Sequence, residues 1–170
     1  MNILVLMGSP RKNGNTAALV EAFRQGAEQA GHEVNVQNVG SMHIGGCMAC
    51  EYCHTTGAGQ CIQKDDMQSL YPLMARSDMV VLASAVHYWG FTGQMQSTIT
   101  RFYAPGKPAA QKYALVLSSG SPGVYDGILS QYHDILSYFG AEDMGVFTFF
   151  GDEQKTEENF QTMRDFGANL

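Results

Sequence analysis

Apolar positions along the chain fall into two alternating patterns. Asn2–Met7 is a nearly continuous apolar run that stops at Gly8-Ser9-Pro10. Unbroken runs of this kind suit strands covered on both faces, as in a parallel sheet. Thr16–Ala30 then places Ala18, Leu19, Ala22, Phe23 and Ala27 at helical spacing, and Gly31 supplies the residue that commonly ends a helix. Glu33–Val39 alternates through Val34, Val36 and Val39 and predicts a second strand. After a Gly- and Cys-rich loop of roughly 25 residues, a length that usually signals function, Asp66–Arg76 reads as a helix with Asp65 and Asp66 near its positive end. Met79–Ser84 is a third strand, Thr92–Tyr103 a helix and Lys112–Ser118 a fourth strand. Leu129–Phe139 forms a helix closed by Gly140, Asp143–Phe150 a fifth strand, and Glu157–Ala168 the last helix.

The pattern is a strand–helix unit repeated five times, which predicts an α/β fold with helices on both faces of a parallel sheet. Five strands fit the flavodoxin-like order 2-1-3-4-5, a three-layer sandwich whose ligands sit outside the carboxyl ends of the strands. No linker or repeat divides the chain, so residues 1–170 read as one domain with a cysteine-rich insertion at about 40–66. Three loops are singled out: those after the first, third and fourth strands.

Composition narrows the function classes. At 45% hydrophobic and 15% charged residues the chain is globular rather than disordered. A formal net charge of −6 argues against a nucleic-acid partner or an anionic membrane surface, since both need a basic face. No apolar run reaches the roughly 18–20 residues of a membrane span. The apolar start lacks a basic leader and a cleavage site, so a cytoplasmic location is expected.

The loop after the first strand reads Gly8-Ser9-Pro10-Arg11-Lys12-Asn13-Gly14-Asn15-Thr16 and runs straight into a helix N-terminus. Free N–H groups and the helix dipole there favour a phosphate. Ser9, Asn15 and Thr16 add donors, Arg11 adds charge, and Gly8 and Gly14 allow close approach of the backbone. Neither a Walker A loop nor the Gly-x-Gly-x-x-Gly dinucleotide fingerprint is present. The loop after the third strand, Ser84-Ala85-Val86-His87-Tyr88-Trp89-Gly90, carries rings suited to stacking on a flat heterocycle. The loop after the fourth strand, Ser118-Ser119-Gly120-Ser121-Pro122-Gly123, offers hydroxyl and backbone donors.

All four cysteines lie together as Cys47-x2-Cys50-x2-Cys53-x7-Cys61. A cluster this tight reads as metal or redox chemistry rather than a disulfide framework. Four thiolates suit a 4Fe-4S cluster or a tetrahedral zinc, and the first three match the ferredoxin run. Cys-x-x-Cys thiol exchange without metal is the remaining alternative.

With these motifs in place, the chain resembles the NADPH-dependent FMN reductase and iron–sulfur flavoprotein group of the flavodoxin-like superfamily, over nearly its whole length. The resemblance rests on Gly8–Thr16 and on Ile44-Gly-Gly-Cys47-Met-Ala-Cys50-Glu-Tyr-Cys53 continuing to Cys61-Ile-Gln-Lys-Asp65-Asp66-Met67. It implies FMN, with its phosphate on Ser9, Arg11, Asn15 and Thr16 in the loop that also contains Asn13 and Gly14. The isoalloxazine would lie against Ala85, Val86, His87, Tyr88 and Trp89 and the Ser119-Gly120 turn. It further implies an iron–sulfur cluster on Cys47, Cys50, Cys53 and Cys61, NAD(P)H as a transient electron donor, and a homodimer or homotetramer.

The chain departs from the family pattern where Ser-Pro-Val-Tyr becomes Ser84-Ala85-Val86-His87, and where a Lys and an Asp-Arg pair become Gln96 and Thr100-Arg101. The expected function is an FMN-dependent oxidoreductase moving electrons between a reduced donor and a small-molecule or protein acceptor, with His87 as a proton donor. The alternatives are a non-catalytic flavin-binding electron carrier, a redox sensor using its thiols, or a zinc-bearing domain.

Overall fold

A computed structural model describes residues 1–106 and 109–170. Five long strands, β1 (Asn2–Met7), β2 (Glu33–Gln37), β3 (Met79–His87), β5 (Lys112–Ser119) and β6 (Glu142–Phe150), form a parallel sheet in the order β2-β1-β3-β5-β6. A two-residue strand, β4 (Gly90–Phe91), pairs antiparallel with the end of β3. The sheet therefore has six strands, one of them antiparallel, rather than the five parallel strands in the order 2-1-3-4-5 that the sequence predicted. The difference is local. β3 continues past Ser84 to His87 and folds back through Tyr88 and Trp89, which have φ of +53° and +62°. Positive φ at both central residues is the signature of a tight hairpin, normally supplied by Asn-Gly or Asp-Gly. Tyr-Trp carries no such signal, so the hairpin is invisible to the pattern.

The helices are α1 (Asn15–Gln29), α2 (Met67–Arg76), α3 (Gly93–Thr100), α4 (Asp126–Phe139) and α5 (Glu157–Ala168). α3 is shorter than expected because its last residues tighten into a 3₁₀ turn at Arg101–Tyr103. Its start is fixed by Thr92, whose side chain accepts from the Met95 N–H. Alternation along the strands divides the interior in two. Leu4, Leu6, Val80, Leu82, Leu115 and Leu117 face α2, α3 and α4, while Ile3, Val5, Val81, Ala83 and Val116 face α1 and α5. Each such aliphatic contributes about 1.5–3 kcal/mol by leaving water, and the double coverage explains the unbroken apolar runs. α1 and α5 approach closely because glycines face each other's backbone: a Cβ on Gly26 would lie 2.0 Å from the Arg164 carbonyl oxygen, and one on Gly167 2.4 Å from that of Phe23. Among the described residues no helix is long and apolar enough to cross a membrane.

Candidate functional site

The carboxyl ends of β1, β3 and β5 open into a cleft of about 820 Å³. That volume lies within the range of small-molecule sites. Its floor is the loop between β1 and α1. Gly14 caps α1 in an extended conformation, no side chain caps the helix, and its first turn holds no acidic residue. The dipole and the first N–H groups are thus left for an anion. Ser9 and Thr16 are buried, whereas Arg11 and Asn13 are exposed. The Arg11 N–H approaches Ser9 Oγ at 3.4 Å, and the Gly14 N–H donates to the Arg11 carbonyl oxygen at 3.1 Å, so the loop turns back on itself. Thr16 Oγ1 meets Ser118 Oγ at 2.6 Å in the interior, which pins the first turn of α1 to β5.

The walls come from the other two loops. Ala85, Val86 and His87 from β3 and Ser118, Ser119 and Gly120 from the end of the neighbouring β5 line the cleft, with Ala85 in register beside Ser118. Ser119 Oγ is fixed by the Ser121 carbonyl and by the Tyr125 hydroxyl, each at 2.7 Å. The structure thus brings Ser9, Arg11, Asn13, Gly14, Asn15, Thr16, Ala85, Val86, His87, Ser119 and Gly120 to one cleft. Tyr88 and Trp89 are not among its lining residues. They stand at the hairpin tip, 95% and 60% exposed, and pack edge-to-face on each other with centroids 5.5 Å apart.

Sequence reasoning missed a third wall, Gly151, Asp152 and Gln154, which follows β6. Buried Gln154 donates through Nε2 to the carbonyls of Ser119 at 2.7 Å and Gly151 at 2.6 Å, while its Oε1 has no partner. A buried acceptor beside a cleft is a place for a ligand donor. Lys155 Nζ donates to the Asn13 carbonyl oxygen at 2.8 Å, adding a cation beside the loop between β1 and α1. Only the pairing of β6 with β5 brings this segment here, and no local motif announces it. An anion cradle, hydroxyl donors and an uncommitted acceptor in one mononucleotide-sized cleft fit FMN.

A second pocket gathers Cys47, Cys50, Cys53 and Cys61 with Arg101 and Tyr103. All four thiols are free; Cys47 and Cys50 are exposed and Cys53 is buried. Burial pushes the Cys53 thiol up, and nearby Cys61, Glu51 and Cys47 push it further. The loop holds Ala49, Glu51 and Ala58 at φ of +51°, +56° and +46°. Such left-handed residues cost about 1–3 kcal/mol each and persist only where surrounding contacts impose them.

Those contacts come chiefly from the end of α3. Thr100 Oγ1 accepts from the Cys47 N–H at 3.1 Å. The Tyr103 hydroxyl donates to both Glu51 oxygens at 2.9 and 3.0 Å. His54 Nε2 lies 2.9 Å from the Tyr103 carbonyl oxygen. Behind the loop, Arg101 pairs with Asp65 at 2.7 Å. Burial opposes both charges, yet their mutual hydrogen bonds leave the Asp65 carboxyl below its ordinary value and the Arg101 guanidinium above its own. Four soft thiol donors around one pocket fit an iron–sulfur cluster in chemistry. Among the described residues no group of three or more His, Cys, Asp or Glu side chains is arranged to hold a single metal ion.

Comparison with known proteins gives the same direction. The model of the family described as NADPH-dependent FMN reductase matches residues 1–156. The chain is 33% identical over 155 residues to an iron–sulfur flavoprotein of Archaeoglobus fulgidus, covering 89% of this chain and 69% of that one. It is 33% identical over 101 residues to an iron–sulfur flavoprotein of Methanocaldococcus jannaschii, where it covers 59% of this chain and 50% of that one. The chain therefore spans about half the length of several curated relatives it matches. Among solved structures, an NAD(P)H:quinone oxidoreductase from Methanothermobacter marburgensis superposes with a TM-score of 0.80 at 18% identity, covering 100% of this chain and 96% of that one. This likeness establishes the flavodoxin-like fold.

Proposed function

The chain belongs to the NADPH-dependent FMN reductase family, and from that premise we propose that it is an FMN-binding oxidoreductase that takes electrons from NAD(P)H and passes them to a small acceptor, aided by an iron–sulfur cluster in its cysteine loop. The observation that carries the reading is the cleft at the ends of β1, β3 and β5, with an uncapped helix N-terminus beside it and lining from the segments that follow β3, β5 and β6. Bound FMN supplies hydride and single-electron transfer. The residues supply binding and orientation. Ser9, Arg11, Asn15 and Thr16 hold the phosphate, and Asn13 and Gly14 shape the loop around it. Ala85, Val86 and His87, with Ser119 and Gly120 on the neighbouring strand end, form the surface for the flat ring. His87 lies within the cleft and is placed in this reading to hand a proton to the reduced ring or to substrate.

Cys47, Cys50, Cys53 and Cys61 are proposed to ligate the cluster, a single-electron carrier when bound. Three observations support this over idle thiols: their shared pocket, the three left-handed residues in the loop, and a fully buried cation against it. The likeness to iron–sulfur flavoproteins described above points the same way.

The test is a visible spectrum of protein purified without oxygen, with iron, sulfide and zinc analysis. Flavin bands over broad iron–sulfur absorbance, with iron and sulfide present, are expected. Flavin bands with no metal would retire the cluster and keep the reductase. A colourless protein that binds no added FMN would overturn both.

A further inference from the structure

Arg101 is the only charged side chain that is fully buried among the described residues, at 1% exposure. Its partners account for only part of it. Nη1 donates to Asp65 Oδ2 at 2.7 Å and to the Gly45 carbonyl oxygen at 2.9 Å, and Nη2 to Asp65 Oδ1 at 3.3 Å. The Nε–H makes no hydrogen bond, while the Tyr71 hydroxyl, which donates to the Arg101 carbonyl oxygen at 3.4 Å, interacts with both the guanidinium and Cys61. A buried donor left unpaired costs about 1–3 kcal/mol, and more on a charged group. If the arginine served only to tie Asp65 to Gly45, the two Nη atoms would suffice, and the idle Nε–H would be a pure loss. Arg101 is among the residues that line the pocket gathering Cys47, Cys50, Cys53 and Cys61. Its neighbours Thr100 and Tyr103 hold the same loop through the Cys47 N–H and Glu51. Thiolates are the form in which cysteine binds metal, so a cluster on four of them is anionic and gains a further negative charge on reduction.

We propose that Arg101 is a positioning and charge-compensating residue for this pocket: its buried charge and uncommitted Nε–H stabilise an anionic iron–sulfur cluster held by the four cysteines and raise its reduction potential, with Asp65 opposing that effect. The inference rests on the cluster assignment made above. It adds a role for a residue outside the ligand set, and it predicts shifts of opposite sign for the two members of one ion pair. Damage to the loop would move both in the same direction.

The experiment is a redox titration of the full chain, purified without oxygen and supplied with iron and sulfide. Dithionite donates single electrons, and the reduced cluster is read by electron paramagnetic resonance. Arg101→Gln is expected to lower the reduced-to-oxidised ratio at fixed potential about tenfold, or roughly 59 mV for one electron. Asp65→Asn is expected to raise it. Arg101→Lys, which keeps the charge, should fall nearer to wild type. FMN content should stay at the wild-type level in all three, since neither residue lines the FMN cleft. Equal potentials, or shifts of the same sign in Arg101→Gln and Asp65→Asn, would overturn the role of Arg101 while leaving the cluster in place. Should Arg101→Gln fail to fold, Asp65→Asn decides alone, because Arg101 stays and absence of a rise refutes the proposal. Wild-type protein that takes up neither iron nor sulfide would overturn the cluster assignment, and this role with it.

Discussion

Gly40 offers a direct test of the site geometry. It lies in the short turn Val39–Ser41 that follows β2, and its α-carbon faces the backbone of the phosphate loop. A Cβ added there would sit 2.4 Å from the Ser9 carbonyl carbon, 2.5 Å from its oxygen and 2.7 Å from the Gly8 carbonyl oxygen. Ordinary contact begins near 3.4 Å, so something must move by about 1 Å (3.4 minus 2.4). The obstacle is main chain, which cannot rotate aside as a side chain can. Overpacking of this kind costs typically about 1–3 kcal/mol. The Ser9–Thr16 loop bears part of it, because its far end is anchored by the Thr16–Ser118 hydrogen bond. If about 1.4 kcal/mol falls on the geometry that holds the flavin phosphate, Gly40→Ala weakens FMN roughly tenfold. Quenching of flavin fluorescence on titrating apo-protein measures this, and calorimetry of the apo-protein reports the remainder as a lower Tm. Gly93→Ala is the control: it meets nothing within 4 Å, so it should leave FMN affinity unchanged and, at the first residue of α3, raise stability by at most about 1 kcal/mol. An FMN Kd within twofold of wild type together with an unchanged Tm for Gly40→Ala would refute the placement of this turn against the phosphate loop.

Two further predictions concern the scaffold and the cysteine loop. Gly26→Ala must part α1 from the Arg164 carbonyl, and a loss of about 1–3 kcal/mol should lower Tm by about 2–4 °C per kcal/mol in a chain of this size; an unchanged melting curve would refute the close helix contact. Burial raises the Asp65 carboxyl, but hydrogen bonds from Arg101 and from the Gly45 and Met67 N–H groups outweigh it, so its folded pKa is depressed. Its stabilisation is then fully present above the unfolded carboxylate value of about 3.9 and is lost as pH falls through the lower folded value. Hydrogen exchange at the Gly45 and Cys47 amides, corrected for the intrinsic rate, should therefore stay protected from pH 7 to about 5 and open only in stronger acid. Opening between pH 5 and 7 would contradict the ion pair as the anchor of that segment.

The elements that bury both faces were the most legible. β1 and α5 fall within a residue of the ranges the pattern implies, because an unbroken apolar run and a 3.6-residue stripe leave few alternatives. The placement of Gly8–Thr16 at the cleft was legible for a related reason, since its chemistry and its structural cue lie in one stretch of nine residues. What escaped depends on contacts between distant segments. Asp65 reads locally as an acidic residue placed for a helix dipole; its partner Arg101 lies 36 positions away. Neighbouring Asp66 turns to the His43 N–H at 2.7 Å instead. Gln154 and Lys155 look like an ordinary polar turn until β6 sets them beside Ser119 and Asn13. Gly40 carries no sign in sequence that its missing Cβ makes room for another loop.

α3 joins these separate pieces into one device. At its amino end, Thr92 Oγ1 donates to the Gly8 carbonyl oxygen at 2.8 Å, and a Cβ on Gly8 would come within 2.8 Å of Met95 Cβ, so the helix is seated on the phosphate loop. At its carboxyl end, Thr100 takes the Cys47 N–H and Arg101 takes the Gly45 carbonyl. Eight residues of helix span about 12 Å at 1.5 Å each. The FMN cleft and the cysteine pocket are thus held at a separation set by a short, doubly anchored helix rather than by the long loop between them. That loop holds three left-handed residues against anchors that lie outside it, on Thr100, Arg101 and Tyr103. On the proposed reading, two electron-carrying groups would need a fixed distance more than a direct contact, and a rigid element between them would meet that need. Thr100, which stands in no local motif, is the helix residue that grips the loop at Cys47.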